Sequence, residues 1–292
     1  MKRVLRGLLL GVLALPLAAA AKPEMVRVPA GEARIGSDRG RPDEAPSFQA
    51  QIAAFDLDRT PVTVAAFARF VKSRGFVTEA ERLGGGAVMT FGTGQWKLMP
   101  GATWRHPLGP QGAASVADHP VTQVSWNDAT AYCAAQGKRL PSEVEFEYVS
   151  RLGAGKGNDH AFGDALMKNG RYRANVWTGV FPMINSAKDG YATTSPVGAF
   201  GETALGLSDL AGNVWEWTSD WYRPYAERHQ AWPAGQPGEK VQRGGSFLCD
   251  PTHCYGFRVT ARGHATPDSS HLHVGFRCAR DVHSPLSARS HP

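Results

Sequence analysis

Only three segments of this chain carry the apolar periodicity of an amphipathic helix. They are residues 63–75, 127–137 and 141–153. Each ends at a glycine, and the last begins with Ser142 followed three residues later by Glu145, the pattern of a capping box. Because these helices account for so little of the chain, most of the sequence must fold as strands, turns and irregular segments.

Short β-like runs lie between turns rich in glycine, proline and aspartate. These runs are residues 25–31, 49–58, 120–126, 240–247 and 274–281. The 33 glycines and 20 prolines of the 292 residues favour long irregular stretches between them. The pattern predicts an α+β fold with low regular secondary structure, in one loop-rich domain.

The N-terminus has the pattern of a secretory signal peptide. Lys2, Arg3 and Arg6 precede a short apolar stretch, and small alanines follow as far as Ala21. We therefore expect residues 1–21 to be a signal peptide and the mature protein to be periplasmic or secreted. No later segment has the roughly 20 consecutive apolar residues of a transmembrane helix, so no membrane contact is expected of the mature form.

The charge balance excludes an obvious nucleic-acid partner. Without residues 1–21, 29 lysines and arginines face 26 aspartates and glutamates, and no basic cluster remains. No internal repeat or linker divides the mature chain. We expect one domain over residues 22–282, a flexible polar tail over 283–292, and a monomer.

Cys249 and Cys254 form the most informative pair in the sequence. Four residues separate them, whereas zinc knuckles and thioredoxin-like redox centres use the tighter C-x-x-C spacing. A disulfide across so short a loop would constrain little of the unfolded chain, although an oxidising compartment makes a plain disulfide natural. Two thiolates are also suitable ligands for a soft ion such as Cu(I).

Several motifs occur together and in a fixed order. "GFVTEAERLGGG" and "WRHPLGP" come first, followed by "LAGNVWEWTSDW", "RGGSF", "TPDSS" and "GFRCAR". This set, with the C-x-x-x-x-C pair, resembles the formylglycine-generating enzymes, or sulfatase-modifying factors, from about Met25 to Asp281. The resemblance implies the fold of that family, a variant of the C-type lectin fold.

The resemblance implies a copper-dependent oxidase. Cys249 and Cys254 would be catalytic and hold Cu(I), with O₂ as co-substrate, and Ser246 would help position the substrate. The substrate would be the cysteine of a C-x-P-x-R segment in an unfolded sulfatase. Loss of hydrogen from its Cβ would give a thioaldehyde, and hydrolysis would then give formylglycine.

The resemblance also implies a structural disulfide and two calcium sites. The disulfide would join Cys133 to Cys278, and Trp215 and Trp217 are expected in the core. The first calcium site would use Asn175, Val176, Asp189 and Tyr191, and the second would use Asp209, Gly212, Val214 and Glu216.

Two functions from different classes stay open at this point. One is the copper-dependent oxidase. The other is a non-catalytic, lectin-like binding module on the same fold, with Cys249–Cys254 as a plain disulfide. The client sulfatase, and whether it is modified before or after export, cannot be read from the sequence.

Overall fold

The computed structural model describes residues 24–250, 254 and 256–282. The predicted signal peptide and the predicted tail over 283–292 therefore lie outside the described residues. Within the described part of the chain, no helix is long and apolar enough to span a bilayer.

The helices confirm the three predicted segments and add a fourth. They are α1 (Val64–Arg74), α2 (Glu79–Leu83), α3 (Trp126–Ala135) and α4 (Glu143–Ala154). The capping box of α4 is present: Ser142 Oγ accepts a hydrogen bond from Glu145 N, and the Glu145 carboxylate accepts one from Ser142 N. Helix α2 was not predicted because a helix this short has no apolar period to detect.

The strands are short and alternate with long irregular segments. They are β1 (Met25–Val28), β2 (Gly31–Ile35), β3 (Phe48–Ile52), β4 (Phe55–Asp58), β5 (Gly85–Thr90), β6 (Gln95–Pro100), β7 (Met167–Lys168), β8 (Arg171–Tyr172), β9 (Gly179–Val180), β10 (Ile184–Asn185), β11 (Trp215–Trp221), β12 (Lys240–Arg243), β13 (Gly263–Ala265), β14 (Val274–Gly275) and β15 (Ala279–Asp281). The mixed, loop-rich α+β architecture is the predicted one.

One sheet positions the C-terminal motifs. Its strand order is β13-β12-β11-β14, in which β11 pairs antiparallel with β12 and parallel with β14. A second sheet, β1-β4-β15, joins the two ends of the domain. The remaining strands form two-stranded hairpins, including β5–β6 and β9–β10. The motif "GNVWEWTSDW" lies on β11, beside the strand that leads into "RGGSF".

The segment 120–126, predicted as a strand, is irregular. Its apolar residues Val121 and Val124 are fully buried, which explains the strand-like pattern. Between them, Gln123 has a φ of 56°, in the left-handed region that interrupts an extended strand. The prediction of a strand over 120–126 is therefore wrong, because these residues are buried without pairing to a neighbouring strand.

Aromatic side chains and one disulfide hold the core together. Trp215 and Trp217 are both buried, as predicted, and Trp217 Nε1 donates a 3.0 Å hydrogen bond to the Val124 carbonyl. Cys133 on α3 and Cys278 are joined by a disulfide with a Cα–Cα distance of 5.7 Å. This is the pairing that the resemblance implies, and it connects the middle of the chain to its C-terminal segment.

Candidate active site

The cysteine loop begins where β12 ends. Gly244 and Gly245 follow Arg243 with φ values of 94° and 71°, a conformation that residues with a Cβ rarely adopt. A Cβ on Gly245 would also lie 2.6 Å from the backbone of Gly256 and Phe257. The two glycines therefore let the loop turn tightly against the later segment that contains Gly256.

Ser246 is buried and its backbone is tied to Cys249. The Ser246 carbonyl accepts a 2.9 Å hydrogen bond from Cys249 N, and Ser246 Oγ accepts one of 3.2 Å from Leu248 N. The Cys249 carbonyl in turn accepts a 2.9 Å bond from Trp177 N. The loop is thus held by hydrogen bonds within itself and by one from the segment around Trp177.

Cys249 and Cys254 lie side by side. Their sulfur atoms are bonded, with the Cα atoms 4.8 Å apart; Cys249 is buried, whereas Cys254 is partly exposed. A Cβ on Gly256 would lie within 3 Å of both sulfurs and 2.5 Å from the Trp215 ring. Gly256 and Trp215 therefore form the wall against which the pair packs.

The bonded form bears directly on the expected copper ligation. A disulfide offers no thiolate, so only the reduced pair could hold Cu(I). The two sulfurs converge on one point and are soft ligands, so the donor set suits that ion once the bond is reduced. Residues 251–253 and 255, between and beside the cysteines, lie outside the described residues.

Buried ion pairs connect the strand that precedes the cysteine loop to helix α4. The Arg243 guanidinium donates to the carboxylates of Glu147 at 2.6 Å and Glu143 at 3.1 Å, both on α4. Arg262 donates to the two Glu143 oxygens at 2.7 and 3.0 Å. Removing one partner of such a group would leave an unpaired buried charge, which typically costs about 3–5 kcal/mol.

Sequence reasoning missed this supporting network. Its signal was present: Glu143 and Glu147 are four residues apart on the helix face that also carries the buried Phe146. Acidic residues on an apolar helix face require buried cationic partners. Arg243 and Arg262, one before the cysteine loop and one after it, provide them.

The structure brings Asp189 next to Val176 and Tyr191, three residues of the first expected calcium site. The Asp189 carboxylate accepts hydrogen bonds from Val176 N at 2.9 Å and from Tyr191 N at 3.1 Å. Asn175 Oδ1 is buried and has no hydrogen-bond partner among the described residues, although its Nδ2 donates to the Thr193 carbonyl. Burial raises the pKa of the Asp189 carboxyl. A buried amide oxygen without a partner and a carboxylate are both donor types that suit a hard cation.

The second set contains an excess of negative charge. Both oxygens of the buried Glu216 accept 2.7 Å hydrogen bonds from Arg277, which also donates to the Asp209 carbonyl at 3.1 Å. Burial raises the pKa of both Asp209 and Glu216. The Asp209 carboxylate accepts a 2.6 Å hydrogen bond from Gly198 N. Arg277 pairs with the Glu216 carboxylate, so a divalent cation bound here would have to share Glu216 with Arg277.

These arrangements do not depend on clusters of acidic side chains. Within the described residues, no group of three or more His, Cys, Asp and Glu side chains is placed to hold a metal ion.

Comparisons with known proteins identify the family. The sequence model described as "Sulfatase-modifying factor enzyme 1-like domain" matches residues 14–282. The chain belongs to this family, that of the formylglycine-generating enzymes. The protein named formylglycine-generating enzyme in Streptomyces coelicolor is 44% identical over 281 residues, which cover 88% of this chain and 89% of that protein.

Two further relatives bear on function and fold. The Mus musculus protein named inactive C-alpha-formylglycine-generating enzyme 2 is 38% identical over 301 residues, covering 95% of this chain and 93% of that protein. Among solved structures, PvdO from Pseudomonas aeruginosa matches with a TM-score of 0.66 and 26% identity, over 89% of this chain and 95% of that chain. The family thus includes proteins named as active and as inactive.

Proposed function

We propose that this protein is a formylglycine-generating enzyme, which oxidises the cysteine of a C-x-P-x-R segment in a sulfatase to Cα-formylglycine. The observation that carries the proposal is the convergence of the Cys249 and Cys254 sulfurs beside Gly256. The loop that holds them is fixed by Ser246 on one side and by Trp177 on the other.

The reduced pair would be the resting form for catalysis. Cys249 and Cys254 would hold one Cu(I) as thiolates, and bound copper would supply the activation of O₂. Cys254 is the more exposed of the two, so the incoming peptide would approach from its side. Ser246 sits one turn before Cys249 and would orient the substrate sulfur.

The overall reaction balances without any other residue acting as an acid or base. The substrate cysteine loses two electrons and two protons, one from sulfur and one from Cβ. O₂ takes them up and forms hydrogen peroxide, and the Cβ–S single bond becomes the C=S double bond of a thioaldehyde. Water then replaces sulfur at that carbon and sulfide leaves. The protein's own contribution is to bind the peptide in an extended conformation and to hold the thiol beside the cysteine loop.

Calcium would have a structural role. Asn175, Val176, Asp189 and Tyr191 would bind one ion, and Asp209, Gly212, Val214 and Glu216 a second. Hard oxygen donors in both sets suit Ca²⁺. Neither set includes a residue of the cysteine loop, so calcium would fix the loop from outside.

The client would be an unfolded sulfatase met outside the cytoplasm. The predicted signal peptide over residues 1–21 supports this location, and an unfolded client would present the C-x-P-x-R segment in an extended form.

A second candidate is a non-catalytic binding protein. The bonded state of Cys249 and Cys254 favours it, and so does the similarity to a relative named inactive. The two candidates differ in one property. An enzyme requires Cys249 and Cys254 in the reduced form, whereas a binding module needs only their disulfide.

Mass spectrometry of a C-x-P-x-R peptide tests the proposal. Protein that has been mildly reduced and loaded with Cu(I) should convert the peptide in the presence of O₂, giving the mass change from CH₂SH to CHO. A matched peptide with serine in place of cysteine should be unchanged. Absence of conversion by folded, copper-loaded protein would favour the binding module.

A further inference from the structure

Two histidines outside the cysteine site have neighbouring rings. His271 and His273 flank Leu272 in the segment that leads into β14, and Leu272 is buried against Phe247 and Leu248. The chain turns at Leu272 and His273, and Val274 N donates a 3.4 Å hydrogen bond back to the His271 carbonyl. This turn brings the two imidazole rings next to each other.

The two rings are close enough to share one ion. Their centroids are 5.8 Å apart with an interplanar angle of 81°. With a metal–nitrogen bond of about 2.0–2.1 Å, two imidazoles on a common ion have centroids about 5–6 Å apart. Trp96 on β6 packs over both rings, with centroid distances of 5.8 Å to His271 and 4.9 Å to His273.

Each of the two rings carries a buried nitrogen without a partner among the described residues. The Nδ1 atoms of His271 and His273 are sealed from solvent and have no hydrogen-bond partner among the described residues, and the same holds for Ser270 Oγ and Gln123 Oε1. The Gln123 backbone is bonded to this segment, since its N donates a 3.0 Å bond to the His271 carbonyl. A buried nitrogen without a partner on each of two neighbouring rings indicates an ion or an ordered water.

We propose that His271 and His273 bind a divalent transition-metal ion that prefers imidazole ligands, such as Cu²⁺ or Zn²⁺, beneath Trp96. Neutral imidazole is the form that ligates such ions. Burial lowers the pKa of His271 to about 4 and that of His273 well below its usual range, so both rings are neutral at pH 7.

This site is separate from the cysteine pair but close to it. The His273 carbonyl accepts a 2.9 Å hydrogen bond from Trp215 N, and the Trp215 ring is the wall beside Gly256. One residue thus connects the two sites, while they share no ligand. Metal binding by the histidines does not require the oxidase reaction, so either proposal can fail without the other.

The oxidised protein allows the histidine site to be tested alone. All four cysteines are then in disulfides and offer no thiolate. Calorimetric titration with Cu²⁺ should reveal one tight equivalent, and its EPR spectrum should show coupling to imidazole nitrogen. His271→Asn and His273→Asn should each lose this equivalent. His264→Asn, which alters an exposed histidine on β13, should retain it.

A second measurement does not depend on the histidine variants. Bound Cu²⁺ should quench the fluorescence of Trp96, so Trp96→Phe should keep the tight equivalent but lose part of the quenching. The proposal is overturned if wild-type protein binds no tight Cu²⁺, which would assign the unpartnered atoms to water. It is also overturned if both folded Asn variants bind Cu²⁺ as the wild type does.

Discussion

Trp177 N donates a 2.9 Å hydrogen bond to the carbonyl of Cys249. Trp177 directly follows Asn175 and Val176, two of the proposed ligands of the first calcium site. On the other side, Phe247 N donates a 3.0 Å hydrogen bond to the carbonyl of Asn213. Asn213 lies between Gly212 and Val214, two proposed ligands of the second calcium site. Both proposed calcium sites are therefore one or two residues from backbone bonds that fix the cysteine loop.

Removal of calcium should consequently affect both stability and turnover. EDTA should lower the melting temperature, and added Ca²⁺ should restore it, because a ligand at 100 times its Kd stabilises the native state by about 2.7 kcal/mol. Differential scanning calorimetry with and without chelator measures the effect. Peptide conversion should fall at temperatures at which the chelated protein is still folded.

A matched pair of variants assigns the calcium effect to the first site. Asp189→Asn should reduce the stabilisation by Ca²⁺, since a carboxylate ligand is lost. Asp118→Asn, a substitution of an exposed aspartate outside both sites, should leave it intact. Identical melting curves with and without EDTA would argue against both calcium sites.

Gly256→Ala should disable the cysteine site by crowding. The added methyl would lie within 3 Å of both sulfurs and 2.5 Å from the Trp215 ring. Such overpacking typically costs about 1–3 kcal/mol, and a displacement of about 1 Å can lower a rate by about a hundredfold. The measurement is kcat for the C-x-P-x-R peptide, alongside the melting temperature.

Gly263→Ala is the control for this substitution. Its methyl would lie 3.3 Å or more from the same Trp215 ring, whose atoms, rather than either sulfur, are the closest to it. We expect near-normal kcat for this variant. Equal activity of Gly256→Ala and the wild type would show that the packing of the sulfurs does not matter for turnover.

The Cys133–Cys278 disulfide should contribute stability rather than chemistry. It closes a loop with a sequence separation of 145 residues, so the chain-entropy estimate is up to about 5 kcal/mol. Replacing both cysteines by alanine should lower the denaturant midpoint and leave turnover intact at low temperature. Non-reducing peptide mapping that joined either residue to Cys249 or Cys254 would contradict this division of roles.

Asp128 should make stability depend on pH. Burial raises its pKa from 3.8 to about 6 in the folded protein. The folded state therefore holds the proton more tightly than the unfolded state, and this contribution to stability is complete below about pH 4 and lost as the pH rises through 6. The loss amounts to about 3 kcal/mol at most, at 1.36 kcal/mol for each pKa unit.

Denaturant unfolding at pH 4 to 7 measures this contribution. Asp128→Asn cannot titrate, so its free energy of unfolding should fall less over this range than that of the wild type. Asp118→Asn, at an exposed position, should follow the wild type. Parallel profiles for Asp128→Asn and the wild type would refute the assignment.

The elements predicted from sequence were those whose signal is local. The apolar face of α1 and the capping box of α4 are encoded within single segments, and both were found where expected. The segment around Val121 and Val124 failed because its burial comes from distant parts of the chain. An alternating or continuous apolar run indicates that the segment is buried. It indicates a strand only when a neighbouring strand is available for backbone pairing.

The site shows the same division. Cys249, Cys254 and Ser246 could be named from a short motif, because the residues lie close together in the chain. The support from Arg243 could not, since its partners on α4 are about 100 positions away. The role of Gly256 depends on where the Trp215 ring lies, which no local pattern specifies.

Substitution of the paired cysteines tests the central claim most directly. Cys249→Ser and Cys254→Ser should each abolish conversion of the C-x-P-x-R peptide to formylglycine by copper-supplied protein, because one remaining thiolate cannot hold the two-sulfur copper site. Their melting temperatures should stay close to that of the wild type, since the bridge removed closes only a short loop. Wild-type turnover by either variant, measured by mass spectrometry of the peptide, would contradict the account and leave the pair as a plain disulfide.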